Sequence, residues 1–387
     1  MSIRILHTSD SHLDVPAIKF QARRYERKRD FLNAFDTVMG YALDKKPDLL
    51  LHSGDLFDGL NPRNPVRAHV METFRKLYDS QIPIYIISGN HDVPRARRHG
   101  VAPLLEYARA GFVKFFEKWD VIHTDTITIN GLDVEISGIS FNPILLPTED
   151  PLQQLSIPGK GDVNILLAHY NVEGLRGTFP HEPDIPLKSV PRNLTYLAAG
   201  HNHEFQKQQV EATTICTPGS TEHVTFAEEA HQKGFVWLEI NTDGVQQLKQ
   251  IPIDTRPMKT INVTIPKDAN INQILTKEIT RLRNPQLILR FRLKGVMTIK
   301  SAEQYRRAEV VRHGFAKCFS TEIIDDLEYI SPDPDYQVPE ADLKPPNTEY
   351  REYVLERIKQ ETDPERKKLL QNALERGLAL LEESGGW

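Results

Sequence analysis

Cysteine is almost absent from this sequence. The 387 residues include only Cys216 and Cys318, which are far apart along the chain. Two distant cysteines exclude a disulfide scaffold and a thiolate zinc site, and they favour a reducing compartment. No apolar run approaches the roughly 20 residues that a membrane-spanning helix requires. Residues 1–7 enter a strand pattern at once and leave no room for a signal peptide, so we expect a cytoplasmic protein.

An excess of positive charge is also lacking. Lys and Arg number 48 against 53 Asp and Glu, which gives a net charge of −5. This balance excludes a histone-like polycation, although it permits a local basic patch. Hydrophobic residues at 39% and charged residues at 26% are typical of a globular protein. The length predicts two or three domains.

What the sequence does contain is a repeated pattern of short apolar runs in its first 250 or so residues. The runs are at 3–6, 49–51, 84–87, 134–136, 165–168 and 196–199. Helical spacing of apolar residues lies between the early runs, at 31–39 and 66–77. Strands that alternate with helices predict βαβ units, and the later strands, with fewer helices, favour a mixed sheet or a sandwich of two sheets.

The composition changes after residue 255. Alternating strands at 260–265 and 287–293, with an amphipathic helix between them, predict a small α+β domain at 256–331. A Pro-rich linker is predicted at 332–347. Two helices are expected in 348–387, the second with Asp363 as N-cap and a leucine-rich stripe at 369–381.

Polar clusters follow five of the apolar runs. In chain order they are Asp10-Ser11-His12, Gly54-Asp55, Gly89-Asn90-His91-Asp92, His169 and Gly200-His201-Asn202-His203. Loops at the carboxyl ends of strands in open α/β sheets converge, so we expect these clusters to form one site. The glycines permit tight turns that bring the side chains close together.

The donor types in these clusters indicate a metal centre. Oxygen and imidazole ligands without thiolate suit Mn²⁺, Fe²⁺ or Zn²⁺. Seven donors exceed the three or four protein ligands of one zinc ion, and they favour two cations about 3.5–4 Å apart that share one carboxylate. Each cluster alone also has a structural interpretation as a turn or a core histidine. Five clusters in this order, each after a strand, favour the metal site.

The order of these clusters resembles the calcineurin-like metallophosphoesterase superfamily. Within it, residues 7–13, 53–58, 217–223 and 254–257 resemble the SbcD family of DNA double-strand-break repair nucleases. The resemblance implies an α/β fold: a four-layer metallophosphoesterase β-sandwich flanked by helices (1–255), with a small α+β capping domain and C-terminal helices.

The resemblance also implies roles for single residues. It implies that one metal is held by Asp10, His12 and His203, the other by Asn90, His169 and His201, with Asp55 as the bridge and His91 as the catalytic histidine. Archaeal and eukaryotic members usually have a second active-site histidine three residues after the bridging aspartate. Asp58 stands at that place here, as in bacterial-type members, so the role of the second histidine is not carried over.

The implied activity is a Mn²⁺-dependent DNA exonuclease and endonuclease, nucleoid-associated in the cytoplasm. Two dications neutralise the phosphodiester and acidify a shared water, whose hydroxide attacks, and a protonated His91 protonates the leaving oxygen.

The implied partners are DNA, a second copy of the chain and an SbcC-like ABC ATPase, with residues 348–387 as its docking segment; alternatively these helices fold back on their own domain. A small-molecule phosphodiesterase and a DNA-binding structural subunit remain alternative functions.

Basic residues beside three of the metal motifs support a nucleic-acid substrate. Residues 19–29 contain six Lys or Arg against one Glu, and further arginines follow Asp55 and His91. Cations at the mouth of the site would hold phosphates, although a charge run is often just a solvated helix face. The candidates for contact with DNA phosphates are Arg23, Arg24, Arg27, Arg63, Arg95 and Arg97.

Overall fold

The structure is built on two six-stranded sheets and a separate three-stranded sheet. It is a computed structural model that describes residues 2–95, 100–153, 155–175, 182–267, 269–330 and 346–383. The strands are β1 (Ile3–Thr8), β2 (Leu49–Ser53), β3 (Ile84–Ile87), β4 (Lys114–Phe115), β5 (His123–Ile129), β6 (Leu132–Ile139), β7 (Val163–Ala168), β8 (Asn171–Val172), β9 (Asp184–Ile185), β10 (Tyr196–Ala199), β11 (Gln206–Val210), β12 (Thr213–Thr217), β13 (Gly234–Asn241), β14 (Gly244–Pro252), β15 (Met258–Ile265), β16 (Asn284–Thr298) and β17 (Cys318–Ile330). The helices are α1 (Arg24–Lys45), α2 (Asn64–Asp79), α3 (Leu105–Arg109), α4 (Ile271–Arg281), α5 (Ile299–Gln304), α6 (Arg307–Lys317), α7 (Pro346–Gln360) and α8 (Pro364–Glu383).

Both large sheets have a parallel centre; antiparallel strands lie at one edge of the first sheet and at both edges of the second. The first has the order β14-β13-β1-β2-β3-β4, in which β1 to β4 are parallel and β13 and β14 antiparallel. The second has the order β11-β12-β10-β7-β6-β5, with β12, β10, β7 and β6 parallel. Each parallel centre places several strand carboxyl ends at one edge, where the polar clusters follow.

One large apolar core lies between these two sheets, and another lies under the helices of the first sheet. Alternate side chains of a strand point to opposite faces, so Ile3 and Ile5 share a buried cluster with Ile165 and Tyr196, while Leu6 joins the core under the helices. Burial of each such side chain contributes about 1.5–3 kcal/mol. Because both of their faces are covered, the central strands β2, β3, β7 and β10 are buried along their whole length rather than alternately.

Helices α1 and α2 cover the outer face of the first sheet. The buried face of α1 includes Phe31, Phe35 and Val38, at the spacing that the sequence predicts. On the second sheet, residues 141–155 and 170–194 pack on the outer face in the described ranges with short turns and no long α-helix. This sandwich confirms the predicted α/β fold class.

The three-stranded sheet forms with α4 and α6 a small α+β substructure. β15 and β16 are parallel, and α4 is the crossover between them. The side chain of Asn270 caps α4 by accepting a hydrogen bond from the backbone N–H of Gln273 at 3.1 Å. One compact unit comprises residues 1–297 and 301–328, so it contains this sheet together with the sandwich. The predicted domain boundary at 255/256 stays a prediction.

The second compact unit comprises residues 298–300 and 329–387. In it, α7 and α8 pack against each other, and the Tyr350 hydroxyl donates to the Ala373 carbonyl at 2.9 Å. Residues 332–345 of the predicted linker at 332–347 lie outside the described residues. Within the described part of the chain, no helix combines the length and apolarity needed to span a bilayer.

Candidate metal centre

The five polar clusters meet at one edge of the sandwich. Asp10 follows β1, Asp55 follows β2 and Asn90 follows β3 in the first sheet, while His169 follows β7 and His201 follows β10 in the second. The backbone N–H of Asp10 donates to the Gly54 carbonyl at 3.0 Å, which joins two of these loops directly. The structure therefore brings together all seven predicted ligands, from five strands of two sheets.

One set of donors surrounds Asp10. Its Oδ1 lies 4.0 Å from His12 Nε2 and 3.7 Å from His203 Nε2, and these two nitrogens are 3.0 Å apart. Asp10 Oδ1 is buried and accepts no hydrogen bond among the described residues. A buried carboxylate oxygen without a donor is costly, unless a cation occupies the space that it faces.

A second set surrounds Asn90. Its Oδ1 is 3.1 Å from His169 Nε2 and 3.2 Å from His201 Nδ1. Asp55 lies between the two sets, because its Oδ2 is 3.3 Å from His169 Nε2 and 3.8 Å from His12 Nε2. This placement is the one that a bridging carboxylate needs.

Hydrogen bonds on the far side of the rings define how the imidazoles face the centre. His12 Nδ1 is 3.1 Å from Asp58 Oδ1, and His203 Nδ1 is 3.1 Å from Glu228 Oε1. Since a carboxylate only accepts, each Nδ1 carries the hydrogen, and in the neutral rings each Nε2 presents a lone pair. Two lone pairs 3.0 Å apart repel unless a proton or a cation lies between them. The donor set thus fits a metal ion.

The electrostatics of the centre favour positive charge. Burial disfavours the charged form of His169, yet Asp55 and Asp10 outweigh it and raise the pKa to about 10. Burial likewise opposes the charge on His12, and Asp58, Asp55 and Asp10 raise the pKa of this ring to about 9. The same carboxylates that would hold a proton would hold a divalent cation in its place.

Unusual backbone conformations aim these side chains. Asp10, His12, Asp55 and His201 have φ values of 51°, 43°, 52° and 81°. Left-handed conformations in residues other than glycine cost of order 1–3 kcal/mol each and cluster at functional sites. The rest of the fold must therefore supply the stability that holds the four in place.

Gly54 is required at this centre for two reasons. Its φ is +97°, and a Cβ at this position would lie 2.3 Å from His169 Nδ1. That same Nδ1 donates to the Ser53 carbonyl at 2.7 Å. Because this hydrogen bond holds the ring in place, moving the ring away from a Cβ would break it. The sequence predicts a tight turn at this glycine, and the structure adds a close approach of the backbone to an imidazole.

His91 lies at the rim of the centre, with its side chain 40% exposed. Its backbone N–H donates to Asp55 Oδ1 at 2.9 Å, and its ring packs edge-on against His12 with centroids 4.8 Å apart.

The buried carboxylate of Asp92 accepts from the backbone N–H groups of Leu56 at 2.9 Å and Gly89 at 2.7 Å. Asp92 thereby ties the loop after β2 to the loop after β3.

Sequence reasoning missed two carboxylates at this site. Glu228 contacts His203 as described, and Glu182 Oε2 lies 2.8 Å from His201 Nε2. Glu228 stands three residues after Thr225 in a capping box, which in a sequence indicates only the start of a helical turn. Glu182 belongs to no recognisable motif, so the sequence held no signal for it.

The basic segment at the start of α1 does not behave as predicted. Arg27 is 1% exposed; it contacts Asp30 at 3.1 Å and Glu222 at 3.4 Å, and it donates to the His223 carbonyl. A buried guanidinium with these partners is not available to a DNA phosphate. The prediction for Arg27 is therefore wrong, because its charge neutralises a buried carboxylate.

Arg23 is also engaged within the protein. Its guanidinium donates to the carbonyls of Phe315, Cys318 and Phe319 at 3.3, 2.8 and 3.0 Å. The Phe315 carbonyl lies in the last turn of α6, where helix carbonyls lack intrahelical partners and a cation is favoured, while Cys318 and Phe319 begin β17. Arg23 thus links α1 to the three-stranded substructure, and a phosphate contact would have to replace those bonds.

The other phosphate candidates differ among themselves. Arg24 and Arg95 are exposed, and Arg24 stacks on the Tyr25 ring with its Cζ 4.7 Å from the centroid. Arg63 is half exposed and pairs with Asp14 at 2.8 Å. Arg97 lies outside the described residues. At the exposed arginines, contact with a DNA phosphate stays a prediction.

Comparison with known proteins decides the family. A sequence profile described as calcineurin-like phosphoesterase matches residues 3–205, a range that contains all seven donors. The chain belongs to this family. Membership confirms the predicted superfamily, and it makes the chain a metal-dependent hydrolase of phosphate esters. The family uses a dinuclear divalent-metal site, for which the clustered donors are the candidate ligands.

Similar proteins come from archaea. The chain is 24% identical over 321 residues to the protein named DNA double-strand break repair protein Mre11 of Sulfolobus acidocaldarius, covering 80% of each chain. It is 27% identical over 296 residues to the protein of that name from Methanocaldococcus jannaschii, covering 73% of this chain and 75% of that one. The names of both relatives state a role in the repair of DNA double-strand breaks.

Proposed function

We propose that this phosphoesterase is a Mn²⁺-dependent DNA nuclease that works in double-strand-break repair. The observation that carries the proposal is the convergence of seven donor side chains on one edge, with the lone pairs of His12 and His203 opposed at 3.0 Å. The names of the similar archaeal proteins support DNA as the substrate. Fe²⁺ or Zn²⁺ would suit the same donors.

The seven side chains divide into two ligand sets. Asp10, His12 and His203 would hold one cation, Asn90, His169 and His201 the other, with Asp55 shared by both. When bound, two divalent cations neutralise the phosphodiester and lower the pKa of a water between them. The residues themselves supply a rigid, largely buried frame, because each ring is fixed on its outer nitrogen.

His91 is the proton donor in this proposal. Its Nδ1 is 3.3 Å from the Asp58 carbonyl, so in the neutral ring the hydrogen is on Nδ1. Its exposed position at the rim lets it reach the substrate, unlike the buried imidazoles of the two sets. A protonated ring there stabilises charge on the leaving oxygen and gives it a proton.

Binding of DNA would be backbone-directed. Arg24, Arg63 and Arg95 are the candidates that keep an exposed guanidinium, and cations that meet phosphates carry no base specificity. The partners in this proposal are a second copy of the chain and an ABC ATPase of SbcC type. The paired helices α7 and α8 would be the segment that docks on the ATPase, with the nucleoid as the place of action.

Two alternatives define the test. A small-molecule phosphodiesterase would use the same ligands without a basic surround, and a structural DNA-binding subunit would need no metal. We would compare hydrolysis of a blunt DNA duplex with that of a small chromogenic phosphodiester, each with Mn²⁺ and after chelation.

The proposal expects cleavage of the duplex that chelation abolishes and Mn²⁺ restores. Hydrolysis of the small ester alone would favour the first alternative. Tight DNA binding without any hydrolysis would favour the second. Binding that does not weaken between low and moderate salt would contradict the phosphate contacts.

A further inference from the structure

Lys233 is a buried lysine that stands immediately before β13 in the first sheet. Its side chain is 0% exposed, and its backbone carbonyl accepts from the Ile253 N–H at 2.9 Å, just beyond the end of β14. Lysine is almost never fully buried unless it is paired, because an ammonium group away from water is costly. The partners that the structure shows for this ammonium group lie around a single residue, His203.

The ammonium group of Lys233 holds His203 at two points. It donates to the backbone carbonyl of His203 at 3.1 Å, and it pairs with Glu228 Oε2 at 2.6 Å. The other carboxylate oxygen, Glu228 Oε1, is the acceptor 3.1 Å from His203 Nδ1. A third bond, to Ser220 Oγ at 2.8 Å, uses the last hydrogen of the ammonium group. The backbone and the ring of one ligand are thus tied to the same lysine.

Glu228, which connects Lys233 to the ring, is itself held in place. The backbone N–H groups of Thr225 and Val224 donate to its two carboxylate oxygens at 2.9 and 3.2 Å. Burial disfavours its charge, but His203 and Lys233 outweigh burial and hold the pKa of this carboxyl far below its ordinary value. Since the ionised carboxylate only accepts, the hydrogen of the neutral His203 ring stays on Nδ1, and the lone pair on Nε2 faces the centre.

The imidazoles of the other ligand set have simpler outer partners. His169 donates to the Ser53 carbonyl, which carries no charge. His201 lies beside Glu182, whose side chain is 32% exposed to water. Among the ligand histidines, His203 alone is backed by a carboxylate–lysine pair within the described part of the chain. That pair is sealed from water, where electrostatic interactions are least screened.

We propose that Lys233 is a positioning residue for His203 and thereby sets the affinity for one of the two cations, an inference that rests on the proposed function. Through the His203 carbonyl, Lys233 fixes the course of the loop after β10. Through Glu228, it fixes the orientation of the ring. Because these contacts reach one ligand set only, the loss of Lys233 should weaken one metal site and spare the other.

The first measurement is a calorimetric titration of the full chain with Mn²⁺. Outer partners of ligand histidines typically contribute 10–100-fold to metal affinity, so Lys233→Met should weaken one of two Mn²⁺ sites by about that factor. The other site should keep its affinity. The matched control is Arg256→Met, which also removes a largely buried cation, 2.7 Å from Asp30, and should leave both sites unchanged.

A double variant tests whether Lys233 and Glu228 act as a unit. Glu228→Gln combined with Lys233→Met leaves no buried charge without its partner, and the new amide oxygen can still accept from His203. The weakened site should therefore bind Mn²⁺ more tightly in the double variant than in Lys233→Met alone. If circular dichroism shows that Lys233→Met does not fold, Lys233→Gln replaces it, because this side chain is uncharged and too short to keep the same contacts.

The His203→Ala background shows through which ligand Lys233 acts. This variant should itself lose affinity at one Mn²⁺ site. If Lys233 acts through His203, adding Lys233→Met should not change the affinity of the remaining site. A further loss at the remaining site would show that Lys233 supports the whole centre, and it would overturn the specific role.

The outcomes separate this role from the proposed function. Unchanged affinity at both sites in Lys233→Met, or equal losses at both, would overturn the role of Lys233 while the nuclease assignment stood. An original chain that binds two Mn²⁺ but cleaves no DNA duplex would overturn the nuclease assignment and leave the role of Lys233 in place. A loss at one site that is absent in His203→Ala and is partly recovered with Glu228→Gln supports the inference.

Discussion

The loops of the metal centre and the basic segment at 19–29 are both dense in charged or polar residues, yet the fold uses them in opposite ways. At the loops, the sequence motif and the geometry agree, and all seven donors converge. In the basic segment, Arg23 binds backbone carbonyls and Arg27 is buried against Glu222. The difference shows that a set of ligands scattered over five strands is a stronger predictor than a single run of like charges.

The two patterns differ in predictive value because they depend to different degrees on residues elsewhere in the chain. A metal site needs several donors, each after its own strand, and the order of five such clusters is hard to produce by chance. A run of like charges can occur without any such constraint from the rest of the chain. The local sequence does not show which residue each charge pairs with in the fold. Glu222 is nearly 200 residues away from Arg27, and only folding brings them to 3.4 Å.

The largest effect is expected on turnover, from a change in the loops of the metal centre. His91→Ala should lower the turnover of DNA hydrolysis by about 10²–10⁴-fold, because it removes the group that protonates the leaving oxygen. Metal content measured on the purified variant should equal that of the original chain. An unchanged turnover would show that the rim histidine has no part in the chemistry.

Arg27→Ala should give the next largest effect, on stability rather than on DNA binding. The variant leaves Glu222 buried without its cation, which destabilises by about 3–5 kcal/mol; urea unfolding measures this. Burial disfavours the charge on Glu222, but Arg27 and the hydrogen bonds of His223 together outweigh it and hold the pKa of this carboxyl below its ordinary value. The stabilising contribution of the Arg27–Glu222 pair is thus present above the ordinary glutamate pKa of about 4.3 and is lost as the pH falls through the pKa in the folded protein. The difference in free energy of unfolding between the original chain and Arg27→Ala should therefore become small in acid.

Arg24→Ala is the matched change on the same helix and should have the smallest effect on stability. Arg24 is exposed, so its loss should alter the free energy of unfolding by no more than about 0.5 kcal/mol. If it contacts a phosphate, the salt dependence of DNA binding should become less steep by about one unit of slope. A change in stability as large as that of Arg27→Ala would remove the distinction between the two arginines.

Much of the fold was predictable from local patterns. Strands buried on both faces appear as short apolar runs, and the spacing at 31–39 and 66–77 marks the buried faces of α1 and α2. The candidate ligands were predictable because their residue types and order are specific to the family. Glu182 and Asp58 were not assigned a role, since the contacts that matter join residues from different loops.

By itself, the sequence determined which side chains can bind a cation, which strands carry them, and the family to which the chain belongs. The tertiary structure alone decided which charges are used inside the protein and which remain at its surface. The physical reason is that donor chemistry belongs to a residue, whereas burial and pairing belong to the distance between residues. That distance is set when the two sheets pack and their loops meet.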